Sequence, residues 1–439
     1  MARKGRFNRA FQPGRIFQAD TSKLWLDCTT RDLTSDPLIM SALQQLSVNP
    51  YDIECVQYVQ ERIRSVDMQD ILDPDPFRRI NPTTPSRLTG PINLGIVHHS
   101  GVAWGIHPEA LTEHLCCVGR TGGGKTTVIK IILKHLLRMK KHKTIIIFDR
   151  KQDFYDLAIE FRLLYFLLED FMDNWCAPPY GVDSMTWFNI LAEILTASFE
   201  LHIGAQFLII DVLKQLSRTR NRPKSTYPTL RELTKHLFVR AEQAKGSARE
   251  TLLRLGHRTR TLVTVFGNAA SSHTSLDWRK LSDFDLALSL AGLAPSLQNL
   301  CITIYFAKLL LYRIYNNLRS DKLEALIVLD EASMIFPKTG SKKTSMLLDY
   351  FQQARAFGIG VIFASQSMNL ADEIFANTAI KIAVGGFGHG SDYEAFGSAV
   401  GLNRGQRDFM RTISQPGSAV VKDIRNPHPF TLQIHREVI

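Results

Sequence analysis

The stretch Gly119-Arg-Thr-Gly-Gly-Gly-Lys-Thr126 follows a short apolar run, Leu115-Cys-Cys-Val118, and precedes apolar positions with helical spacing. It matches the pattern Gly-x-x-x-x-Gly-Lys-Thr in full; a Gly-rich turn without a ligand is the weaker alternative. Glycines let backbone N–H groups turn inward around phosphates, and the following helix N-terminus adds partial positive charge. The residues predicted to bind ATP are Gly119, Arg120, Thr121, Gly122, Gly123, Gly124, Lys125, Thr126 and Thr127.

Two side chains of this loop have specific predicted roles. Lys125 is expected to reach the β- and γ-phosphates of ATP, and the hydroxyl of Thr126 is expected to bind Mg²⁺. A helix is predicted from Lys125 to about Met139, and a second apolar strand, residues 144–148, ends in Asp149. A strand, a helix and a second strand, with strands that are apolar throughout, predict an α/β fold with a parallel sheet covered on both faces.

A pair of carboxylates follows a third apolar run, Leu326-Ile-Val-Leu329. Asp330 is predicted to hold Mg²⁺ through its water shell, and Glu331 to polarise the attacking water as a general base. Because Ala332 and Ser333 come next, a helix N-cap is the alternative interpretation of this pair.

Two further candidates lie around the strand that comes after the carboxylates. Gln366 ends the run Ala364-Ser-Gln366, so its amide is expected at the carboxyl edge of the sheet, where it can sense the γ-phosphate or position water. Arg355 precedes that strand and is expected on a helix; in a ring it could reach a neighbour's γ-phosphate. A polar loop residue and a surface arginine are the respective alternatives.

The charge of the chain is uneven. The 439 residues carry a formal net charge of +11, and residues 212–260 alone contain thirteen basic and three acidic side chains. This segment is either a solvated helical face or a surface that contacts phosphates, and charge alone favours neither. A second basic stretch without acids precedes Asp20, where a disordered arm is expected.

Cysteine content and hydropathy indicate the cellular compartment. The six cysteines include no Cys-x-x-Cys pair, which in a chain of this length predicts free thiols and a reducing, cytoplasmic environment. No apolar stretch approaches the ~20 residues that a membrane helix needs. Pro-rich segments between residues 73 and 85 predict a boundary between an N-terminal region and the remainder.

Taken together, four segments resemble the HerA–FtsK superfamily of P-loop ATPases. They are the phosphate loop, Phe148-Asp-Arg-Lys-Gln-Asp-Phe154, Val328-Leu-Asp-Glu-Ala332 and Arg355-Ala-Phe-Gly-Ile-Gly-Val-Ile-Phe-Ala-Ser-Gln366. The lead-in Gly105-Ile-His-Pro-Glu-Ala-Leu-Thr-Glu-His114 is also similar to that of HerA-like proteins. The similarity covers roughly residues 95–175 and 320–425.

This resemblance implies a RecA-like core, ATP and Mg²⁺ as cofactors, and a hexameric ring of identical subunits that moves double-stranded DNA through a central pore. It also implies an arginine finger that acts on the neighbouring subunit, with Arg355 at the matching position. The alternatives are a type IV secretion-type ATPase that transfers protein or DNA, and a ring scaffold that activates a partner nuclease or other effector.

A division of the chain follows from the motifs and the resemblance. Residues 1–92 form an N-terminal region that is partly helical, with no predicted role. Residues 93–175 and 286–439 supply the two halves of the ATPase core, and the second half ends in a β-hairpin. Residues 176–285 form a basic helical insertion between them.

Overall fold

The computed structural model divides the chain into two compact units, residues 1–81 and 82–439. The basic arm predicted before Asp20 and most of the Pro-rich segment lie outside the described residues. The structure describes residues 20–31, 33–72, 76–77, 88–98, 100–167, 170–218, 226–281, 283–336, 338, 346–426 and 428–435.

The first unit is a small group of helices. They are α1 (Thr21–Thr30), α2 (Pro37–Val48) and α3 (Ile53–Leu72), with a 3₁₀ turn at Leu33–Ser35. The carboxylate of Asp36 caps α2 by accepting the N–H of Leu38, and Pro37 suits the first helical position. The helices pack through one apolar cluster that includes Leu24, Cys28, Ile39, Leu43, Leu46 and Val59.

The second unit contains one large sheet. Its strands are β1 (Ile92–Val97), β2 (Ala103–Ile106), β3 (Leu115–Val118), β4 (Thr144–Asp149), β5 (Leu164–Leu167), β6 (Leu286–Ser289), β7 (Ser320–Leu329), β8 (Phe357–Ser365), β9 (Ile380–Val384), β10 (Ser418–Asp423) and β11 (Phe430–Ile434).

Helices cover this sheet and fill the insertion. They are α4 (Lys125–Met139), α5 (Tyr155–Phe161), α6 (Ser184–Ser198), α7 (Ile203–Ser217), α8 (Leu230–Gln243), α9 (Gly246–Phe266), α10 (Trp278–Leu281), α11 (Pro295–Tyr315), α12 (Ala332–Ile335), α13 (Met346–Ala354), α14 (Asp372–Ala376), α15 (Gly390–Val400) and α16 (Arg404–Thr412). The 3₁₀ helices are Pro108–Glu113, which precedes β3, and Ala269–Ser271. Among the described residues, no helix is both long enough and apolar enough to cross a membrane.

The strands lie in the order β2-β1-β11-β10-β9-β3-β8-β7-β4-β6-β5. The seven from β9 to β5 are parallel, and the four at the other end pair antiparallel. The predicted α/β fold with a mainly parallel sheet is therefore confirmed. Because β8 lies between β3 and β7, the segments that follow these three strands meet at the carboxyl edge of the sheet.

The strands expected at 144–148, before Asp330 and before Gln366 are present, and so is the C-terminal hairpin of β10 and β11. Two further strands, β5 and β6, were not predicted from the sequence. Each of these strands has four residues, which is too short to show a period that distinguishes strand from helix.

Candidate functional site

The phosphate loop has a backbone that only glycine accommodates at its first residue. Gly119 has φ of 147°, and a Cβ built there would lie 2.0 Å from the carbonyl oxygen of Val384. The loop ends at Gly124, whose φ of 110° turns the chain into α4. The first N–H groups of a helix have no partner within it, so the start of α4 is available to a phosphate.

Lys125 is the first residue of α4 and is almost fully buried, with 9% of its surface exposed. Its Nζ donates to the carbonyl oxygens of Gly119 at 2.7 Å and Arg120 at 2.9 Å, which holds the ammonium within the loop. Burial lowers the pKa of Lys125, and the nearby carboxylates of Glu331 and Asp330 act in the opposite direction. Thr126 follows, half-buried, and Thr127 is exposed.

The carboxylate of Glu331 lies where the neighbouring strands β7 and β8 end. Glu331 follows β7 with φ of 59°, an uncommon value for a residue with a side chain, and the turn directs it towards the end of β8. There it accepts the Nε2 of Gln366 at 2.5 Å and the hydroxyl of Ser333 at 2.8 Å. Gln366 in turn accepts the hydroxyl of Thr121 at 2.8 Å through its Oε1. The P-loop, Glu331 and Gln366 are therefore linked by hydrogen bonds.

Asp330 supplies a buried carboxylate beside this network. Only 9% of its surface is exposed, and burial raises its pKa, while Lys151, whose Nζ lies 3.8 Å away, acts to lower it. A hydroxyl and a carboxylate are the oxygen ligands that Mg²⁺ takes in nucleotide sites, so Thr126 and Asp330 fit this ion. Burial disfavours the ionised carboxylate of Asp330, and a bound divalent cation would stabilise it.

The end of β4 and the segment after it contribute residues to the site for which no role was predicted. Asp149 is buried and accepts the backbone N–H groups of Lys151, Asp153 and Phe154, which fixes the turn. The guanidinium of Arg150 donates to Gln298 at 2.5 Å and to the carbonyl oxygen of Glu331 at 3.4 Å. In the sequence, the charged residues Asp149-Arg-Lys at the end of a buried strand could have indicated that this segment reaches the site.

Segments from the C-terminal part of the chain support the P-loop. Arg120 donates its backbone N–H to Gly386 at 2.7 Å and its guanidinium to the carbonyl oxygen of Ser414 at 2.9 Å. Gly417 donates its N–H to Gly123 at 3.4 Å. These contacts join residues about 300 positions apart and depend on backbone atoms, so no sequence motif could have indicated them.

Comparisons with known proteins agree with this geometry. Residues 92–271 match the family described as "Helicase HerA, central domain", and residues 306–384 match "Zonular occludens toxin (Zot)". The first match contains the P-loop, and the second contains Asp330, Glu331 and Gln366. The resemblance to the HerA–FtsK ATPases is confirmed. No curated protein matches the chain in sequence.

Solved structures share the fold of this chain. VirB4 of Thermoanaerobacter pseudethanolicus has a TM-score of 0.60 and 15% identity, and the similarity covers 82% of this chain and 98% of that one. The bacterial conjugative coupling protein TrwB has a TM-score of 0.59 and 13% identity, over 81% and 92% of the two chains. TrwB has also been solved with an ATP analogue and with ADP and Mg²⁺. At these identities the similarity shows the fold alone.

One predicted site residue lies away from the others. Arg355 follows the last residue of α13, rather than lying on the helix, and precedes β8 at the amino edge of the sheet. Because β8 has nine residues at about 3.3 Å each, roughly 30 Å separates Arg355 from Gln366 at the other end. The side chain is 63% exposed and donates to Glu113 at 2.6 Å. The predicted site residues other than Arg355 therefore lie at the carboxyl edge of the sheet.

Proposed function

We propose that the chain is a ring-forming ATP-driven motor that translocates double-stranded DNA, with ATP and Mg²⁺ bound between identical subunits. The observation that carries this proposal is the division of the site. The P-loop, Asp330, Glu331 and Gln366 meet at one edge of the sheet, whereas Arg355 is exposed at the opposite edge.

The residues at the carboxyl edge can perform most of the hydrolysis. The P-loop N–H groups and Lys125 would bind the phosphates, and Thr126 with Asp330 would hold Mg²⁺, which would supply positive charge against the transferred phosphoryl group. Glu331 accepts the proton of the attacking water, while Gln366 donates a hydrogen bond to that carboxylate and keeps it oriented. Thr121, bonded to the same amide, connects this arrangement to the loop around the phosphates.

Charge on the γ-phosphoryl oxygens rises in the transition state, and a second cation stabilises it. Within one subunit Arg355 lies too far from the P-loop to supply this charge. A ring in which the amino edge of one sheet faces the carboxyl edge of the next would place Arg355 beside the neighbour's ATP. Hydrolysis then requires assembly, and a hexamer is the ring size that the family resemblance implies.

The insertion supplies a surface for the DNA backbone. On α9 the exposed arginines are Arg249, Arg254, Arg258 and Arg260, and Glu250 is the acid on that helix. One of the four, Arg254, pairs with Glu250 at 2.6 Å, so the exposed side of the helix keeps a net positive charge. Phosphate contacts of this kind are independent of base sequence, as a translocase requires.

The test is ATP turnover with and without duplex DNA, at low and at moderate salt. We expect stimulation that weakens as salt rises, because phosphate contacts release counterions. Replacing Arg249 and Arg258 together by alanine should reduce stimulation and flatten its salt dependence. The matched control replaces two exposed cations elsewhere, Arg64 and Lys141, and should behave as the wild type.

Turnover that duplex DNA does not change at either salt concentration would overturn DNA translocation. ATP hydrolysis by an assembled ring would then favour a secretion-type ATPase with a protein substrate. The TM-scores of 0.60 for VirB4 and 0.59 for TrwB do not separate these two functions.

A further inference from the structure

The exposed Arg355 has one described ion-pair partner, Glu113, the last residue of the 3₁₀ helix that precedes β3. The Nη2 of Arg355 lies 2.6 Å from the Oε1 of Glu113. This contact uses one edge of the guanidinium and leaves its other N–H donors towards solvent, since the side chain is 63% exposed.

Glu113 is itself fixed by its surroundings. Its carbonyl oxygen accepts the N–H of Ala379 at the start of β9. Behind it, a Cβ built on Gly360 in β8 would lie 2.5 Å from the carbonyl oxygen of Leu111, so the 3₁₀ helix packs directly on the strand that follows Arg355. The carboxylate therefore projects from a rigid part of the sheet edge.

The next residue, His114, links the elements around Glu113 through two hydrogen bonds of its ring. Its buried ring accepts the N–H of Val361 at Nδ1, 3.1 Å away, and donates from Nε2 to the carbonyl oxygen of Phe351 at 3.2 Å. Burial lowers the pKa of His114 to about 4, so the ring is neutral at physiological pH and keeps this pattern. One side chain thus joins β3, β8 and α13, the elements on either side of the Glu113–Arg355 pair.

We propose that Glu113 is the positioning residue for Arg355, holding the guanidinium at the amino edge so that the neighbouring subunit's ATP meets a preorganised cation. This inference rests on the proposed function, because it assigns the effect of Glu113 to the next subunit's site. An unrestrained arginine loses rotamer freedom when it binds a phosphate, and a partner that restricts it beforehand reduces that loss. An exposed ion pair is also weak enough to exchange for a phosphate.

The first measurement is steady-state ATP turnover by rings of a single variant. Glu113→Gln keeps the size of the side chain and removes its charge; we expect kcat to fall about tenfold with little change in KM for ATP. Glu113→Asp should recover part of the loss. Glu109→Gln is the matched control, an exposed carboxylate on the same 3₁₀ helix, and should turn over as the wild type.

Because only β3 separates Glu113 from the P-loop, Glu113→Gln could lower turnover through its own subunit's site instead of the neighbour's. Mixed rings distinguish these two effects. Subunits with Lys125→Ala cannot hydrolyse ATP but present an intact Glu113 and Arg355. Combined with Glu113→Gln subunits, they should raise the turnover per intact P-loop above that of Glu113→Gln rings. Adding Glu113→Gln to Arg355→Ala should cause no further loss.

The outcomes separate this inference from the function on which it rests. Full activity of Arg355→Ala would overturn the shared site itself, and with it the role of Glu113. A large loss in Arg355→Ala with normal turnover in Glu113→Gln would overturn the positioning role alone. Mixed rings without recovery would show that Glu113 acts on its own subunit, which also contradicts the inference.

Discussion

The two ends of β8 differ in how their functional side chains are held. At the carboxyl end, Gln366 is half-buried and is bonded to Glu331 at 2.5 Å and to Thr121 at 2.8 Å. At the amino end, Arg355 makes one ion pair, at 2.6 Å, and remains 63% exposed. The side chains at the carboxyl end bond to one another within the subunit, whereas the exposed guanidinium of Arg355 can bind a group of a neighbouring subunit. Under the proposed function, one strand would carry parts of two ATP sites, that of its own subunit and that of its neighbour.

The largest effect is expected at the carboxyl end, from Lys125→Ala. Loss of the ammonium removes the main positive charge on the β- and γ-phosphates, so ATP turnover should fall by more than about 10³-fold. Lys130→Ala is the control: it lies on the same helix and pairs with Asp156 at the surface, so its loss should leave turnover unchanged. Normal hydrolysis by Lys125→Ala would refute the assignment of the P-loop.

Much of the carboxyl end could be predicted from sequence, because strand ends and loop motifs are local. The apolar run before Asp330 and the Gly-rich loop before Lys125 each fix their own backbone, and parallel strands bring them to one edge. The amino end could not be predicted in this way. Glu113 and Arg355 are 242 positions apart, and their contact depends on β3 and β8 lying side by side.

The next effect separates binding from chemistry at the same edge. Glu331→Gln keeps the shape of the side chain and its contact with Gln366 but removes the general base, so turnover should fall about 10³-fold while ATP still binds. Affinity for a fluorescent ATP analogue, measured beside turnover, checks both parts. If the variant hydrolyses ATP normally, the base is a different residue; if it no longer binds ATP, Glu331 has a structural role.

Arg355→Ala tests whether the amino end belongs to a neighbour's site. We expect a loss of about 10²-fold in turnover, since one donor to the transition-state charge is removed. In rings mixed with Lys125→Ala subunits, which keep Arg355, part of the activity should return. Arg404→Ala, which changes a 93% exposed arginine elsewhere, is the control. If mixed rings of confirmed composition show no recovery, Arg355 acts within its own subunit.

A smaller effect is expected at Gln366, which supports Glu331 rather than replacing it. Gln366→Ala removes the donor to the Glu331 carboxylate, and turnover should fall about tenfold with ATP affinity little changed. Gln366→Glu should be worse, because it brings a second negative charge against Glu331.

A comparison with Thr121→Val decides which partner of this amide matters. That substitution removes the other hydrogen bond of Gln366, at 2.8 Å, and leaves the contact with Glu331 intact. If Gln366 acts by orienting the general base, Thr121→Val should cost only about threefold. If instead the amide mainly senses the γ-phosphate from the P-loop side, Thr121→Val should match Gln366→Ala, and the carboxyl end would work as a sensor rather than as a base held in place.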